Sequence, residues 1–229
     1  MIAFNRQRET AMTTADGQSR NALAVSSWVL WIDSVGGFRL LEGERFTIGG
    51  LGGEDPADLA VRSAWRRRVA TLQRVEDEYW LDHEDSGVHA RAVPWGEPIS
   101  LSHREPATHA EPQLRLHKPS PLSRTAVVTL DPPHRFVSPV DAVLLVDATV
   151  LIGQARHHHI RTPQYCGESL VLSKRDDQWR INRSGGLPKA ASAISIVEGQ
   201  SIEIDSLVMT LRRESVPSIL GELSRREKR

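Results

Sequence analysis

Five arginines clustered around one tryptophan are of the residue types best suited to binding a negatively charged ligand. Within thirteen residues the chain holds Arg62, Trp65, Arg66, Arg67, Arg68 and Arg74. Guanidinium groups bind carboxylates and phosphates through paired N–H donors, and an indole can stack beside them. We therefore expect this cluster, with Arg66, Arg67 and Arg68 as the main contacts, to bind an acidic or phosphorylated segment of a protein or peptide partner. The alternative is a solvated basic loop whose charge is balanced by nearby acidic residues.

Three consecutive histidines suggest a second kind of chemistry, because imidazole is a common transition-metal ligand. On a strand, only His157 and His159 would share a face, and two ligands do not complete a zinc site. A loop of exposed or packed histidines is therefore the favoured interpretation. A metal- or ligand-responsive sensor centred on His157 and His159 is the alternative, and no resident metal or other cofactor is expected.

The sequence lacks the common catalytic motifs. It contains no Gly-x-Ser-x-Gly, no phosphate loop ending in Gly-Lys-Ser/Thr and no His-Glu-x-x-His. The single cysteine, Cys166, is expected to be a small core residue rather than a nucleophile. These observations favour a non-enzymatic protein.

Composition sets the outer limits on function. A chain of 229 residues that is 39% hydrophobic and 25% charged is typical of a globular protein. Because 29 basic residues balance 29 acidic ones, no net field draws the molecule to nucleic acid or to an anionic membrane. The sequence has neither a signal peptide nor a stretch of about 20 apolar residues that could span a membrane. A cytoplasmic location is the expectation, and the composition does not indicate an oligomeric state.

The elements that must position these residues occur twice. Thr47-Ile48-Gly49 matches Leu151-Ile152-Gly153, Leu72 with Tyr79-Trp80-Leu81 matches Leu172 with Trp179-Arg180-Ile181, and Gly96–Leu101 matches Gly199–Ile204. The offsets between the matching phrases are 104, 100 and 103 residues. Offsets that drift by only a few residues predict two copies of one small domain.

The pattern within each copy is typical of β-structure. Short apolar runs are broken about every eight to twelve residues by Gly, Pro or Asp, which predicts an all-β sandwich or barrel. A hairpin is predicted from Val69–Leu72 through a polar tip to Tyr79–Leu81. Four tryptophans are expected to anchor the core, and two others fall in loops where they could be exposed at an interface. The core group is Trp28, Trp31, Trp80 and Trp179, and the loop group is Trp65 and Trp95.

The predicted organisation has five parts. They are a disordered N-terminal leader (1–26), a first sandwich (27–117), a linker (118–122), a second sandwich (123–213) and a C-terminal tail (214–229) that could form a short helix. Two prolines hold the linker extended. The stretch 102–111 has no apolar period and is expected to be a surface loop.

The repeated phrases resemble the forkhead-associated (FHA) domain. The shared features are a strand ending in Ile-Gly, a hairpin with an aromatic residue on its second strand, and a closing Gly-x-x-Ile-x-Leu/Ile before the last strand. The resemblance covers about 27–117 and 123–213. It implies two tandem β-sandwiches, each of which would bind a phosphothreonine peptide with the loops at one end.

The residues with which that family binds phosphothreonine are mostly replaced here. The family uses an Arg after Ile-Gly, a Ser-Arg-x-His sequence before the hairpin and an Asn before a Gly after it. Gly50 and Gln154 stand where that first Arg would be. With the hairpins aligned on Leu72 and Leu172, the Ser falls at Arg66 and Cys166, the His falls at Val69 and Ser169, and only Arg67 keeps the family type.

Neither copy places an Asn immediately before a Gly after the hairpin. Losing several charge-assisted contacts should abolish the family's usual binding. The sequence therefore predicts a protein-protein interaction module or adaptor built from two degenerate FHA-like sandwiches. The other alternative is a purely structural subunit of a larger assembly, in which the sandwiches act as spacers.

Overall fold

The computed structural model describes residues 26–51, 56–84, 90–101, 111–185 and 193–214. In these ranges the chain forms β-strands and no α-helix, which confirms the all-β prediction. No helix in the described part of the chain is long and apolar enough to cross a membrane. The leader, apart from Ser26, and the tail, apart from Glu214, lie outside the described residues, as does most of the stretch 102–111.

The strands of the first half are β1 (Ser26–Ile32), β2 (Gly36–Glu42), β3 (Arg45–Gly49), β4 (Leu59–Ala60), β5 (Ala70–Val75), β6 (Glu78–His83), β7 (Arg91–Ala92), β8 (Pro98–Ile99) and β9 (Leu114–His117). The strands of the second half are β10 (Ala126–Leu130), β11 (Ala142–Val146), β12 (Thr149–Gly153), β13 (Ile160–Arg161), β14 (Leu170–Arg175), β15 (Gln178–Arg183), β16 (Ile194–Ser195), β17 (Ser201–Ile204) and β18 (Leu207–Arg213). The hairpin predicted around the polar tip at 76–78 is confirmed as β5 and β6.

The strands form three sheets. A central sheet has the order β17-β18-β1-β2-β11-β10-β9-β8, and two five-stranded sheets have the orders β4-β3-β5-β6-β7 and β13-β12-β14-β15-β16. Each five-stranded sheet covers one hydrophobic core. We call the core under β3–β7 the first core and the core under β12–β16 the second core.

The two repeats exchange their opening strands. The first strand, β1, pairs with β18 at the end of the second repeat, and Trp28, Leu30 and Ile32 lie in the second core. In return, β10 pairs with β9, and Ala126 and Val128 lie in the first core. The hydrophobic cores therefore do not follow the contiguous ranges 27–117 and 123–213, and the expected linker 118–122 connects two neighbouring strands of one sheet.

The strands β2 and β11 join the two repeats at the middle of the central sheet. They pair in parallel, with Leu40 opposite Leu144 and Leu41 opposite Leu145. Leu40 and Leu144 face the second core, whereas Leu41 and Leu145 face the first. Burial on both faces explains why β11 is an unbroken apolar run, Ala-Val-Leu-Leu-Val, since strands covered on both sides do not alternate.

The two five-stranded sheets cover opposite faces of the central sheet, because adjacent residues of β2 and β11 point to opposite sides and contact different cores. The two repeats also share local turn geometry. The N–H groups of Gly96 and Gly199, at φ 76° and 75°, donate to the carbonyls of Leu116 and Leu211, both at 2.8 Å.

A buried ion pair fastens the end of the second repeat to the first. Arg39 on β2 contacts Glu214 just after β18 at 2.5 Å, and each side chain is only 9% exposed. Ser27 and Ser138 donate hydrogen bonds to the same carboxylate, at 3.0 and 2.6 Å. These bonds satisfy the buried charge, so removing either partner of the pair should be costly.

The tryptophans only partly follow the predicted core assignment. Trp28 and Trp179 are buried in the second core in an edge-to-face contact at 6.3 Å, whereas Trp80 is half-buried. The prediction for Trp31 was wrong, because this side chain is 39% exposed and lies against the backbone of Gly37. The reason is the period of two on β1, which turns Trp28 inward and Trp31 outward.

Candidate functional site

The arginine cluster lies in the connection between β4 and β5. Arg62, Arg66, Arg67 and Arg68 are exposed, and Trp65 is half-buried against the first core. We call Arg62, Trp65, Arg66, Arg67 and Arg68 the arginine surface. One end of the connection is anchored to the other half of the chain, because Val61 forms a β-bridge with Phe136.

Arg62 and Arg68 of the arginine surface contact groups in other segments of the chain. The Arg62 guanidinium donates to the carbonyl of Val137 at 3.2 Å, and the Arg62 N–H donates to the carbonyl of Arg135 at 3.0 Å. The Arg68 guanidinium lies 3.3 Å from the carboxylate of Glu84, with both side chains largely exposed. Arg62 therefore connects this surface to the other half of the chain, whereas the Arg68 ion pair is exposed to solvent.

Arg74, the fifth arginine of the sequence cluster, does not belong to this surface. Its side chain is 2% exposed, and it donates to the Tyr79 hydroxyl, to the carbonyls of Leu145 and Val146, and to Asp147. Burial raises the pKa of Tyr79, and the neighbouring Arg74 charge opposes that rise. Arg74 thus joins β5 of the first repeat to β11 of the second.

Backbone fills the position where the resemblance would place a phosphate-binding arginine in the first repeat. The Gly50 N–H donates to the carbonyl of Arg66 at 2.7 Å. A Cβ atom on Gly49 would lie 1.8 Å from the carbonyl oxygen of Arg67, and one on Gly50 would lie 2.2 Å from that of Trp65. No side chain fits at either glycine without moving the 65–67 segment.

The corresponding loop of the second repeat lacks the arginines. With the hairpins aligned as above, Tyr165, Cys166, Gly167 and Glu168 stand where the first repeat has 65–68. Tyr165 is 1% exposed and donates to Asp205 at 3.0 Å. Burial, followed by this hydrogen bond, raises the pKa of Tyr165 to about 12.

Cys166 is exposed, so the prediction that it is a core residue was wrong. Its thiol lies beside two polar groups, the Gln164 carbonyl at 3.8 Å and the Gln154 amide at 3.7 Å. The Gln154 amide also donates to the carbonyl of Pro163 at 3.0 Å. The Gln154 side chain therefore stabilises the loop between β12 and β14.

The three histidines do not form the arrangement that the sensor hypothesis needs. The segment from Gln154 to His159 is a loop, in which His157 is exposed while His158 and His159 are buried. His157 and His159 therefore do not share a strand face, and their side chains lie in different environments. No group of three possible metal ligands occurs in the part of the chain that the structure describes.

Both buried histidines are held by their Nδ1 atoms. The Nδ1 of His158 accepts the Ala155 N–H at 3.0 Å, and the Nδ1 of His159 accepts the Leu151 N–H at 2.9 Å. Burial lowers the pKa of both, that of His159 to about 4, and neighbouring imidazoles add to the effect. At neutral pH each ring is uncharged and carries its proton on Nε2.

The structure also brings together a set of basic residues that the sequence does not group. A cleft of about 450 Å³ lies between the end of β9, β10 and the connection from β12 to β13. It is lined by Trp95, Gly96, His117, Lys118, Pro119, Val127, Arg156, His158, His159 and Arg161. These residues come from both repeats, so no local motif could have revealed them.

Comparison with known proteins adds no relative. No family model matches the chain, and neither does any curated protein or any solved structure. The resemblance to the FHA domain is thus a resemblance of motif residues around Ile48-Gly49 and Ile152-Gly153.

Proposed function

We propose that this protein is a non-enzymatic protein-protein interaction module, an adaptor built from two FHA-like sandwiches. Its arginine surface binds an acidic segment of a partner protein, and it does not bind phosphothreonine in the family's usual way. The observation that supports this most directly is the packing of the 65–67 backbone over Gly49 and Gly50.

That packing presents the wrong chemistry for a buried phosphate. A phosphate that loses its water must be met by charge-assisted N–H or O–H donors. At Gly49 and Gly50 the nearest groups are carbonyl oxygens of the 65–67 segment, which are acceptors. The Gly50 N–H, a possible donor, already binds the Arg66 carbonyl.

The same packing exposes the arginine side chains next to Trp65. Arg66, Arg67 and Arg68 are three consecutive exposed residues, and the half-buried indole holds the segment against the first core. The Arg68–Glu84 pair is exposed, and such pairs contribute at most about 1 kcal/mol. A partner carboxylate can replace Glu84 at little cost.

Recognition of this kind depends on accumulated charge rather than on one phosphate. Exposed arginines bind carboxylates and phosphates alike through paired donors. Their contribution falls as salt screens the charges, with a Debye length of about 10 Å at 0.1 M. We therefore expect binding that weakens steeply with salt and that tolerates Glu in place of phosphothreonine.

The test measures fluorescence anisotropy of three labelled peptides with the full chain. The peptides share one acidic sequence and carry threonine, phosphothreonine or glutamate at its centre. We expect the three affinities to rise only with total charge. The variant R66A/R67A/R68A should lose affinity about tenfold or more for all of them, because three charge-assisted contacts are removed.

A charge-matched control separates a site from general attraction. R45A/R91A/R175A removes three exposed arginines from other surfaces and should bind like the unmodified protein. Equal losses in both triple variants would overturn the proposal. Strict dependence on phosphothreonine, with no binding of the glutamate peptide, would overturn it as well.

A further inference from the structure

The basic cleft between the repeats, which we call the junction cleft, is a second binding site that the proposed function does not use. Its walls come from the Trp95-Gly96 turn, the segment after β9 and the connection from β12 to β13, and Val127 of β10 also lines it. Its volume of about 450 Å³ lies in the range of small-molecule sites. The volume equals about fifteen water molecules at roughly 30 Å³ each, which is more than a bare phosphate needs.

The lining of the junction cleft is positively charged. Lys118, Arg156 and Arg161 line it, and no Asp or Glu is among the described residues that do. Arg156 and Arg161 are exposed, and neither forms an ion pair with any residue that the structure describes. In a chain of zero net charge, two arginines without a described carboxylate partner and one weakly paired lysine create a local field that attracts anions.

Lys118 is held in place beside the cleft aromatic. Its ammonium group lies 5.8 Å from the centre of the Trp95 ring, and the ring packs edge-to-face on Tyr79 at 5.8 Å. The nearest carboxylate, that of Asp77, is 3.9 Å from the ammonium and 77% exposed. This distant, solvated partner leaves most of the lysine charge available to a ligand.

A buried donor without a partner is the second observation. His159 lines the cleft and is 5% exposed, and its Nδ1 already accepts the Leu151 N–H. Its Nε2 is buried and has no hydrogen-bond partner among the described residues. With Nδ1 acting as the acceptor, Nε2 carries the proton, so an oxyanion is the chemistry that would satisfy it.

We propose that the junction cleft binds a small phosphorylated molecule that carries at least two negative charges. Arg156, Arg161 and Lys118 supply the charge, and the Nε2–H of His159, which is buried in this structure, supplies a neutral donor when the ring turns toward the ligand. The ligand is larger than inorganic phosphate and joins the two repeats, because its site takes residues from both. This proposal stands on residues distinct from the arginine surface and does not rest on its function.

The experiment is calorimetric titration of the full chain at constant ionic strength. The probes are inorganic phosphate, pyrophosphate, a nucleoside triphosphate without metal, and a phosphothreonine peptide. We expect saturable binding of pyrophosphate or the nucleotide, tighter than that of phosphate. R156A/R161A should weaken it about tenfold or more, since two charged contacts are lost at exposed positions.

Three further variants serve as controls. R45A/R91A removes the same charge elsewhere and should change binding less than about twofold. H159N keeps an acceptor for the Leu151 N–H but removes the Nε2 donor, and it should weaken binding by a smaller factor than R156A/R161A. R66A/R67A/R68A should leave binding of the small probes unchanged, which separates this site from the arginine surface.

Three results would overturn the proposal. One is the absence of saturable binding by any small probe. Another is an equal loss in R156A/R161A and R45A/R91A, which would show general charge attraction. The third is binding of the phosphopeptide but no small probe, with an affinity that persists in R66A/R67A/R68A and is lost in R156A/R161A, which would assign the cleft to a protein partner instead of a small molecule.

Discussion

In the first repeat a carboxylate, and in the second repeat an imidazole, accepts the backbone N–H at the same point of the Ile-Gly strand. Asp58 accepts the Thr47 N–H at 2.8 Å, and His159 accepts the Leu151 N–H at 2.9 Å. Thr47 and Leu151 are matching residues of the repeated phrase. The backbone N–H at this position needs an acceptor in both repeats, and either a carboxylate or an imidazole can accept it. The charge of the accepting side chain therefore differs between the two loops.

A second pair of equivalent side chains also keeps one contact, here an ion pair, with different residue types in the two repeats. Aligned on the hairpins, Arg74 matches Lys174, and each binds a carboxylate at the end of the β2 or β11 strand of the other repeat. Arg74 lies 3.3 Å from Asp147, and Lys174 lies 2.7 Å from Glu42. The exchange is thus secured from both sides, by a fully buried guanidinium in one sandwich and by a partly exposed ammonium in the other.

The largest expected effect comes from separating the two repeats at the expected linker. A fragment of residues 27–117 lacks β10 and β11, which complete the first core. A fragment of residues 36–146 contains β2 to β11 and so holds every strand that bounds that core. We expect the fragment 27–117 to be unfolded and the fragment 36–146 to retain β-structure, because only 36–146 contains all the strands that bury the first core.

Circular dichroism and amide-proton dispersion in NMR spectra measure this difference. Both should be recorded at low concentration, since 36–146 exposes the second-core faces of β2 and β11. Cooperative folding of 27–117 by itself would contradict the exchange of strands between repeats.

The second prediction compares the two cations that secure the exchange. Arg74→Ala should lower the free energy of unfolding by about 3–5 kcal/mol, because it leaves the buried carbonyls of Leu145 and Val146 without their donor and opens a cavity where the side chain was. Lys174→Ala should cost about 1 kcal/mol, as expected of a pair that water can reach. Urea unfolding of both variants gives the two values, and equal costs would show that burial does not distinguish the pairs.

The third prediction introduces, in each repeat, the arginine that the FHA resemblance would place after Ile-Gly. Gly50→Arg should destabilise the protein by about 1–3 kcal/mol, because its Cβ would collide with the Trp65 carbonyl. Gln154→Arg is at an exposed position and should stay within about 0.5 kcal/mol of the parent. Thermal melts compare the stability of the two variants. Gly50→Ala adds only the Cβ, so this control isolates the cost of the collision with the Trp65 carbonyl. A tolerated Gly50→Arg would mean that the 65–67 segment moves aside.

The fourth prediction concerns pH. Burial lowers the pKa of His159 to about 4, whereas an exposed histidine in the unfolded chain has a pKa near 6.5. Between these values the unfolded chain binds a proton that the folded chain does not, so stability falls as pH decreases from about 6.5 to 4. One proton gives a slope of at most about 1.4 kcal/mol per pH unit.

His159→Asn removes this proton-binding group while keeping an acceptor for Leu151, so its stability should depend less on pH in that window. Denaturant melts at several pH values measure the slope, and His157→Asn, a change at the exposed neighbour, is the control. An unchanged slope in His159→Asn would show that His159 does not titrate differently on unfolding. The first repeat has Asp58 in this place, so the effect belongs to the second repeat alone.

The alternation of apolar residues and the spacing of the repeated phrases predicted much of this protein's structure from the sequence alone. The all-β class, the hairpin of β5 and β6, and the exposure of Arg66, Arg67 and Arg68 all follow from local pattern. These features depend on neighbours along the chain, which the sequence shows directly.

Only the tertiary structure decided which strands cover which core. The alternation on β1 and β10 is satisfied equally by either sandwich, so nothing in it selects β18 over β9 as the partner of β1. The outward side of Trp31, the burial of Arg74 and the assembly of Lys118 with Arg156 and Arg161 depend on that choice. The physical reason is that hydrophobic burial is non-directional. It specifies which side of a strand must leave water but not which partner covers it.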